Sequence, residues 1–250
     1  MYIDSRICRL VSSKEEAKPF IEYYKMELKK EFSLFPVYSD FLKQNWLVIS
    51  GEGEELSSIA AIYLKNCSKS KKNVGWVNFT FSLTSSNISN LYIIDTIIKG
   101  NKDEKLYPSI VSMNFIKRAK IISVSDITEN DHLLQDFDSY DFYKTVSKLV
   151  NKELIAIIKI SISKNEINNK PLKENLLKNN FEKIVQIEKV LKKYSNIEST
   201  SIKLPKNYKK IIKLIHFTTS EKFQLINLLR SWNNIYSKDL IKEIKNFSKS

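Results

Sequence analysis

The chain has 250 residues, 42% of them hydrophobic, with 41 Lys and Arg against 28 Asp and Glu, a formal net charge of +13. That length can bury a sizeable core in one or two domains. No apolar run reaches 18 residues and the N-terminus Met1-Tyr-Ile-Asp-Ser-Arg6 lacks a signal-peptide pattern, so a cytoplasmic protein with no membrane partner is expected. The two cysteines, Cys8 and Cys67, have no Cys-x-x-Cys or Cys/His companions and read as reduced thiols.

In chain order, Ile3 to Leu10 reads as a strand, and Ser12-Ser-Lys-Glu-Glu16 carries the Ser-to-Glu spacing of a helix start. Phe20, Ile21, Tyr24 and Leu28 then mark one buried helical face. Residues 45–50 and 57–64 are apolar runs around Gly51-Glu-Gly53 and predict a β-hairpin. Residues 75–83 alternate with period two, and residues 91–98 are continuously apolar, as in a strand covered on both faces. A loop from Lys99 to Lys105 leads to Pro108 and an expected helix from Ser109 to Ala119. A strand over 120–125, a short helix over 129–139, a strand over 141–149 and a strong strand over 153–162 follow.

The polar stretch Lys164-Asn-Glu-Ile-Asn-Asn-Lys-Pro171 breaks the pattern and divides the chain into residues 1–164 and 165–250. Beyond it the pattern gives a helix over 172–194, a short strand over 201–204 and helices over 207–215, 220–232 and 237–247. Residues 166–250 hold 18 Lys and Arg against 8 Asp and Glu, a balance of +10 that leaves +3 for the rest. In the last helix Lys238, Lys242 and Lys245 form a basic stripe that could meet phosphates in a helix-turn-helix or simply face solvent.

After the strand expected over 120–125, Asn130, Phe137, Asp141 and Phe142 fall at the intervals of the Asn, aromatic and Gly-Phe positions of GCN5-related N-acetyltransferases (GNAT). Residues 1–164 therefore resemble that family. The resemblance implies an α/β fold with a mixed, mainly antiparallel sheet and flanking helices, followed by the basic helical region. It also implies that the strands of Asp95 and Val124 splay apart to admit the pantetheine arm of acetyl-coenzyme A. The cofactor would lie along Ile98, Lys102, Lys105, Ser109 and Asn130. Asp95 would be the general base, Tyr140 or Tyr143 the general acid, and a small-molecule or peptide amine the acceptor. The sequence departs from the family at the phosphate turn: no glycine follows Gly100, Pro108 removes a donor, and Asp103 and Glu104 repel an anion.

The alternative reading is a non-enzymatic protein that keeps the scaffold and uses its basic C-terminal region on nucleic acid or an acidic protein partner. His132 and His216 are far apart and lack further ligands, so no metal is expected. Glu153 and Lys159 stand six apart rather than at the Glu-x-Lys spacing of a metal-dependent nuclease, and neither a Walker loop nor a Gly-x-Ser-x-Gly elbow occurs.

Overall fold

The computed structural model describes residues 6–70, 73–85, 89–100, 102, 104–110, 112–126, 133–200, 208–214, 217, 218, 221, 222, 225 and 229. Two compact units meet between Asn196 and Ile197; the expected division at 164/165 lies at the short 3-10 turn Lys164–Glu166, ahead of a long helix that begins at Lys170.

The first unit opens with β1 (Ile7–Val11), every residue of which is buried, and α1 (Lys14–Tyr24). Ser13 caps α1 and Glu16 returns the bond to the cap, so the Ser-to-Glu spacing acts as a capping box. Next come β2 (Glu27–Leu28), β3 (Val37–Ser39) and β4 (Asn45–Ile49). The expected hairpin partner over 57–64 is instead the helix α2 (Glu54–Ser68). Its buried residues, Ser57, Ala60, Ala61, Leu64 and Ser68, repeat at helical spacing, and two adjacent alanines allow close approach to the sheet. Gly53 caps α2 with φ 136°, a conformation that L side chains rarely adopt.

Strands β5 (Gly75–Thr84) and β6 (Leu91–Lys99) follow as the alternation requires. After the short β7 (Lys105–Leu106), the expected helix over 109–119 is absent: residues 112–116 form turns and β8 runs Lys117–Ser123. Strand β9 (Leu134–Asp136) takes part of the segment read as a helix, and α3 (Ser139–Val146) takes the segment read as a strand. Tyr140, Phe142, Tyr143 and Val146 are buried on α3, a helical rather than alternating set. The unit closes with β10 (Ile155–Ser163) and α4 (Lys170–Thr200), which runs on past Asn196.

Among the described residues the ten strands form one sheet. Strands β4, β1, β5 and β10 run parallel side by side. Strand β10 continues to β6 antiparallel, and β6, β8 and β9 are parallel to one another. Because β9 also pairs with β5, the ring β5, β10, β6, β8, β9 closes on itself, and the sheet continues from β5 through β1, β4 and β3 to an edge at β2. The longest ladders are parallel, so an α/β fold with a mixed sheet holds and the mainly antiparallel expectation does not.

Closure also removes the fork on which the acyltransferase fold depends. Strands β6 and β8 pair from Tyr92 with Lys117 to Lys99 with Ser123, interrupted only by a bulge between Ile94 and Thr96. Gly100 N–H extends the ladder to Ser123 O at 2.9 Å, and a Cβ on Gly100 would stand 2.8 Å from Val124. No slot for a pantetheine arm exists between these strands.

Helix α4 lies on the outer face of the sheet through Leu177, Ile184, Ile187 and Leu191, packed with Ile7, Val77, Phe79 and Ile158. Each such side chain contributes ~1.5–3 kcal/mol when fully buried. An ion pair clamps this contact: Arg9, wholly buried on β1, donates to both carboxylate oxygens of Glu188 on α4, at 2.8 Å to Oε2, and Tyr24 donates its hydroxyl to the same group. Gly75 sits beneath Leu191, where a Cβ would come within 2.6 Å of Ile7 Cδ1.

In the second unit, helix α5 (Tyr208–Leu214) buries Tyr208 and Ile211 with Leu229. Thr218 and Glu221 cap each other reciprocally. The expected strand over 201–204, most of the last two expected helices, and Lys238, Lys242 and Lys245 lie outside the described residues.

Candidate active site

The four parallel strands β4, β1, β5 and β10 end on the same side of the sheet, and a cleft opens there, where α/β folds commonly bind ligands. Its wall comprises Ser12, Ser13, Glu15 and Glu16 after β1, and Glu52 and Gly53 after β4. Thr80, Phe81 and Leu83 of β5 face Gln135 to Asp138 between β9 and α3, while Ile167 and Lys173 close the side towards α4. The cleft encloses about 90 Å³, space for roughly half a dozen waters, so a larger ligand would lie partly in the open mouth.

Lys159 organises the floor of this region. It lies in the middle of β10 with no exposed surface, on the face that β10 shares with Asn78 and Thr80 of β5. Its ammonium stands 2.8 Å from Asp136 Oδ2 and 3.0 Å from Asp138 Oδ1. It also donates to Asn78 Oδ1 at 2.7 Å and to Thr80 Oγ1. A buried ammonium without such partners would lose its proton. Burial does depress its pKa, but Asp136 and Asp138 together outweigh that and raise it above the ordinary value.

The two aspartates are held differently. Asp138 accepts from Lys159, from Thr80 Oγ1 at 3.3 Å and from Asn78 Nδ2 at 2.6 Å. Burial opposes its ionisation, yet the Lys159 charge and the hydrogen bonds prevail and keep it below the usual carboxylate range. Asp136 accepts on Oδ2 from Lys159, from Ser139 N at 3.2 Å and from Ser139 Oγ, while its Oδ1 is buried without a hydrogen-bond partner. Burial, reinforced by Asp138 and only partly countered by Lys159, pushes Asp136 up to about 6.

Glu16 forms part of the opposite wall. Its Oε2 accepts from Ser12 N at 2.8 Å, Ser12 Oγ at 2.7 Å and Ser13 N at 3.0 Å, and its Oε1 accepts from Phe81 N at 2.9 Å. One carboxylate thus ties the β1–α1 turn to β5 and fixes the width of the cleft. Burial raises its pKa despite these four donors. Phe81 and Phe137, both half-buried, add two aromatic rings to the lining, and the Lys173 ammonium stands 5.4 Å from the centre of the Phe81 ring.

Among the described residues, none of those expected to carry acyl transfer lines this cleft. Asp95 is half-buried at the β6 bulge, and its Oδ1 accepts from Thr96 Oγ1 at 3.0 Å. Tyr140 and Tyr143 are buried on α3; the Tyr140 hydroxyl accepts from Lys144 at 3.0 Å, and Tyr143 donates to Tyr107 O at 3.1 Å. Burial pushes Tyr143 up to about 12 and raises Tyr140 as well. Ile98 pairs with Lys105 across the β6–β7 hairpin, Lys102 and Lys105 are exposed, and Ser109 lies in irregular chain. Among the described residues of the turn, Lys99 N is spent on Glu104 O at 3.0 Å and Lys102 N on Lys99 O at 3.1 Å, so neither amide is free to cradle a pyrophosphate. Asn130 and His132 lie outside the described residues.

Phe142 is fully buried beside Trp76, so its role as a core plug needs no cofactor above it. Sequence reasoning missed Glu16, Asp136, Asp138 and Lys159 as a group. The available signal was Lys159, a lone cation inside the run Ile155-Ala-Ile-Ile-Lys-Ile160, which no core strand carries without buried counter-charges.

Among the described residues no helix is long and apolar enough to cross a membrane, and no group of three or more His, Cys, Asp or Glu is placed to hold a metal ion.

No protein-family model matches the chain, and no curated protein matches it significantly. Solved structures do. A 5'-methylthioadenosine/S-adenosyl homocysteine nucleosidase (MTAN) from Campylobacter jejuni is 13% identical over 75% of this chain and 99% of its own, with a TM-score of 0.59. A futalosine hydrolase mutant from Helicobacter pylori is 11% identical over 72% and 99%, with a TM-score of 0.56. An MTAN from Chlamydia trachomatis is 18% identical over 74% and 98%, with a TM-score of 0.54. Together with the zipped β6–β8 ladder, these overturn the N-acetyltransferase resemblance, acyl transfer and acetyl-coenzyme A; they give no support to the nucleic-acid-binding alternative either. The chain has a mixed α/β fold with a closed barrel core, similar to that of these solved structures.

Proposed function

We propose that this chain is an N-glycoside hydrolase that binds a nucleoside-like ligand in the cleft at the ends of the parallel strands. The observation that carries the reading is Asp136, a buried carboxyl at the cleft wall raised to about 6, whose Oδ1 is sealed from solvent without a hydrogen-bond partner. A general base works best with a pKa near the operating pH. Above pH 6 Asp136 is ionised and accepts a proton from a water attacking the anomeric carbon.

The bond to the heterocycle then breaks through a transition state with positive charge on the sugar ring. Asp138, held ionised by Lys159, places fixed negative charge beside that centre before it forms. Phe81 and Phe137 supply flat apolar surfaces for the heterocycle. The names of the structurally similar enzymes, nucleosidases and a futalosine hydrolase, favour the same bond type.

The test is incubation with a panel of purine, pyrimidine and pyridine nucleosides, with released heterocycle quantified by chromatography. The reading expects release by the native protein and a loss of about a hundredfold or more with Asp136→Asn. No release from any nucleoside, or equal release by Asp136→Asn, contradicts it.

A further inference from the structure

The cleft is rich in groups that take protons and poor in groups that give them. Asp138 is paired with Lys159 and accepts from Asn78 and Thr80. Both oxygens of Glu16 are already acceptors of backbone N–H groups. A neutral nucleobase is a poor leaving group unless it is protonated as the bond breaks, and among the described lining residues Asp138 and Glu16 are held as acceptors while the Lys173 ammonium lies over the Phe81 ring. A heterocycle that already carries positive charge departs as a neutral molecule and needs no proton donor.

Charge points the same way. The lining holds five carboxyl groups, Glu15, Glu16, Glu52, Asp136 and Asp138, against one lysine, Lys173. Lys159 beneath the floor, and Lys170 at 3.3 Å from Glu15 at the exposed rim, still leave the carboxyl groups in excess. This occurs in a chain whose net charge is +13, so the cleft is a local reversal of the overall field and focuses cations. Phe81 and Phe137 add ring faces that favour a cation over a neutral ring of equal size, and Phe81 already has the Lys173 ammonium 5.4 Å from its centre.

We propose that the preferred substrate is a glycoside of a positively charged heterocycle, a pyridinium or an N-alkylated purine; this rests on the hydrolase reading above. In the reaction, water oxygen forms a bond to the anomeric carbon and the carbon–nitrogen bond breaks. Its electron pair passes to the ring nitrogen, which neutralises the heterocycle. The water proton goes to Asp136 and then to solvent. The products are the free sugar, a neutral heterocycle and one proton, and no general acid, oxidant or second substrate takes part.

The experiment compares nicotinamide riboside, a pyridinium, with its dihydro form, a neutral ring of nearly the same shape. Affinity is measured by calorimetry on Asp136→Asn to suppress turnover, and kcat/KM on the native protein guards against a variant that fails to fold. The pyridinium should bind about tenfold tighter than the neutral ring. That preference should shrink at high salt and in Glu15→Gln with Glu52→Gln, two mouth residues whose replacement leaves the Lys159 cluster intact. Equal or tighter binding of the neutral form, or a preference unmoved by the paired Gln substitutions, overturns the proposal. Release of heterocycle from neutral nucleosides only would sink it while the hydrolase reading stands. Failure to bind or cleave either class removes both.

Discussion

Replacing Lys159 with Met removes a buried cation in contact with two buried carboxyl groups. Lys159 has no exposed surface, and the Asp136 and Asp138 side chains are only 2% and 6% exposed, so solvent cannot substitute for the lost charge. Breaking a buried pair from one side costs ~3–5 kcal/mol, much of a typical domain stability of ~5–15 kcal/mol. The cost depends on pH in a definite direction. Without Lys159 both aspartates lose a charge that lowers their pKa values, and each can escape the penalty by taking up a proton. Lys159→Met should therefore be most destabilising near pH 8 and recover a good part of the loss near pH 5. Urea unfolding at the two pH values, followed by circular dichroism, measures both effects. Adding Asp136→Asn and Asp138→Asn to Lys159→Met should restore most of the stability at pH 8, since no unpaired charge then remains. A loss below ~1 kcal/mol, the range of an exposed pair, or an equal loss at pH 5 and pH 8, would refute the buried cluster.

Three further outcomes follow from the same geometry. Asp136 has a folded pKa of about 6 against an ordinary 3.8, so its contribution to stability is complete below pH 3.8 and is lost as pH rises through 6; Asp136→Asn should flatten that part of the stability profile by up to ~3 kcal/mol. Glu188→Ala leaves the Arg9 guanidinium buried without its carboxylate and should cost ~3–5 kcal/mol, whereas Tyr24→Phe, which removes one donor to Glu188, should cost ~1–3 kcal/mol by the same unfolding assay. Gly75→Ala forces a Cβ to within 2.6 Å of Ile7 and 3.1 Å of Leu191 and should lower stability by ~1–3 kcal/mol, with increased amide exchange in α4.

The sequence carried the strands better than their partners. Strands β1, β4, β5, β6 and β10 fall largely where apolar alternation or continuous apolar runs place them, because each buries at least one face whatever its neighbours are. Helix α2 was misread because Ser57-Ser-Ile-Ala-Ala-Ile-Tyr-Leu64 has no charge to break the run, and a short apolar stretch reads alike in both periods. Its buried set Ser57, Ala60, Ala61 and Leu64 held the correct period. Exposed Ile59 and Ile62, 45% and 48% accessible, masked it.

The acyltransferase resemblance failed for a related reason. Asn130, Phe137, Asp141 and Phe142 matched a spacing, but spacing does not report whether β6 and β8 separate, and the ladder from Tyr92 to Lys99 keeps them together. The cleft residues were the least legible. Lys159 meets Asn78 and Asp138 across 81 and 21 residues of sequence, and Glu16 reaches Phe81 across 65. No local pattern encodes such meetings; they exist because β5 lies between β1 and β10 and also touches β9. What the sequence did offer was the anomaly of a lysine among isoleucines on β10, a residue that must find carboxylates once buried.

The central claim is that the cleft between Glu16 and Asp136 is where an N-glycoside binds and is cut. Crystals of Asp136→Asn soaked with a nucleoside that the native protein cleaves test it most directly. The account predicts density for the heterocycle against Phe81 and Phe137, with the anomeric carbon facing residue 136. A nucleoside seated elsewhere on the protein, or turnover by the native protein that survives in Asp136→Asn, would contradict it.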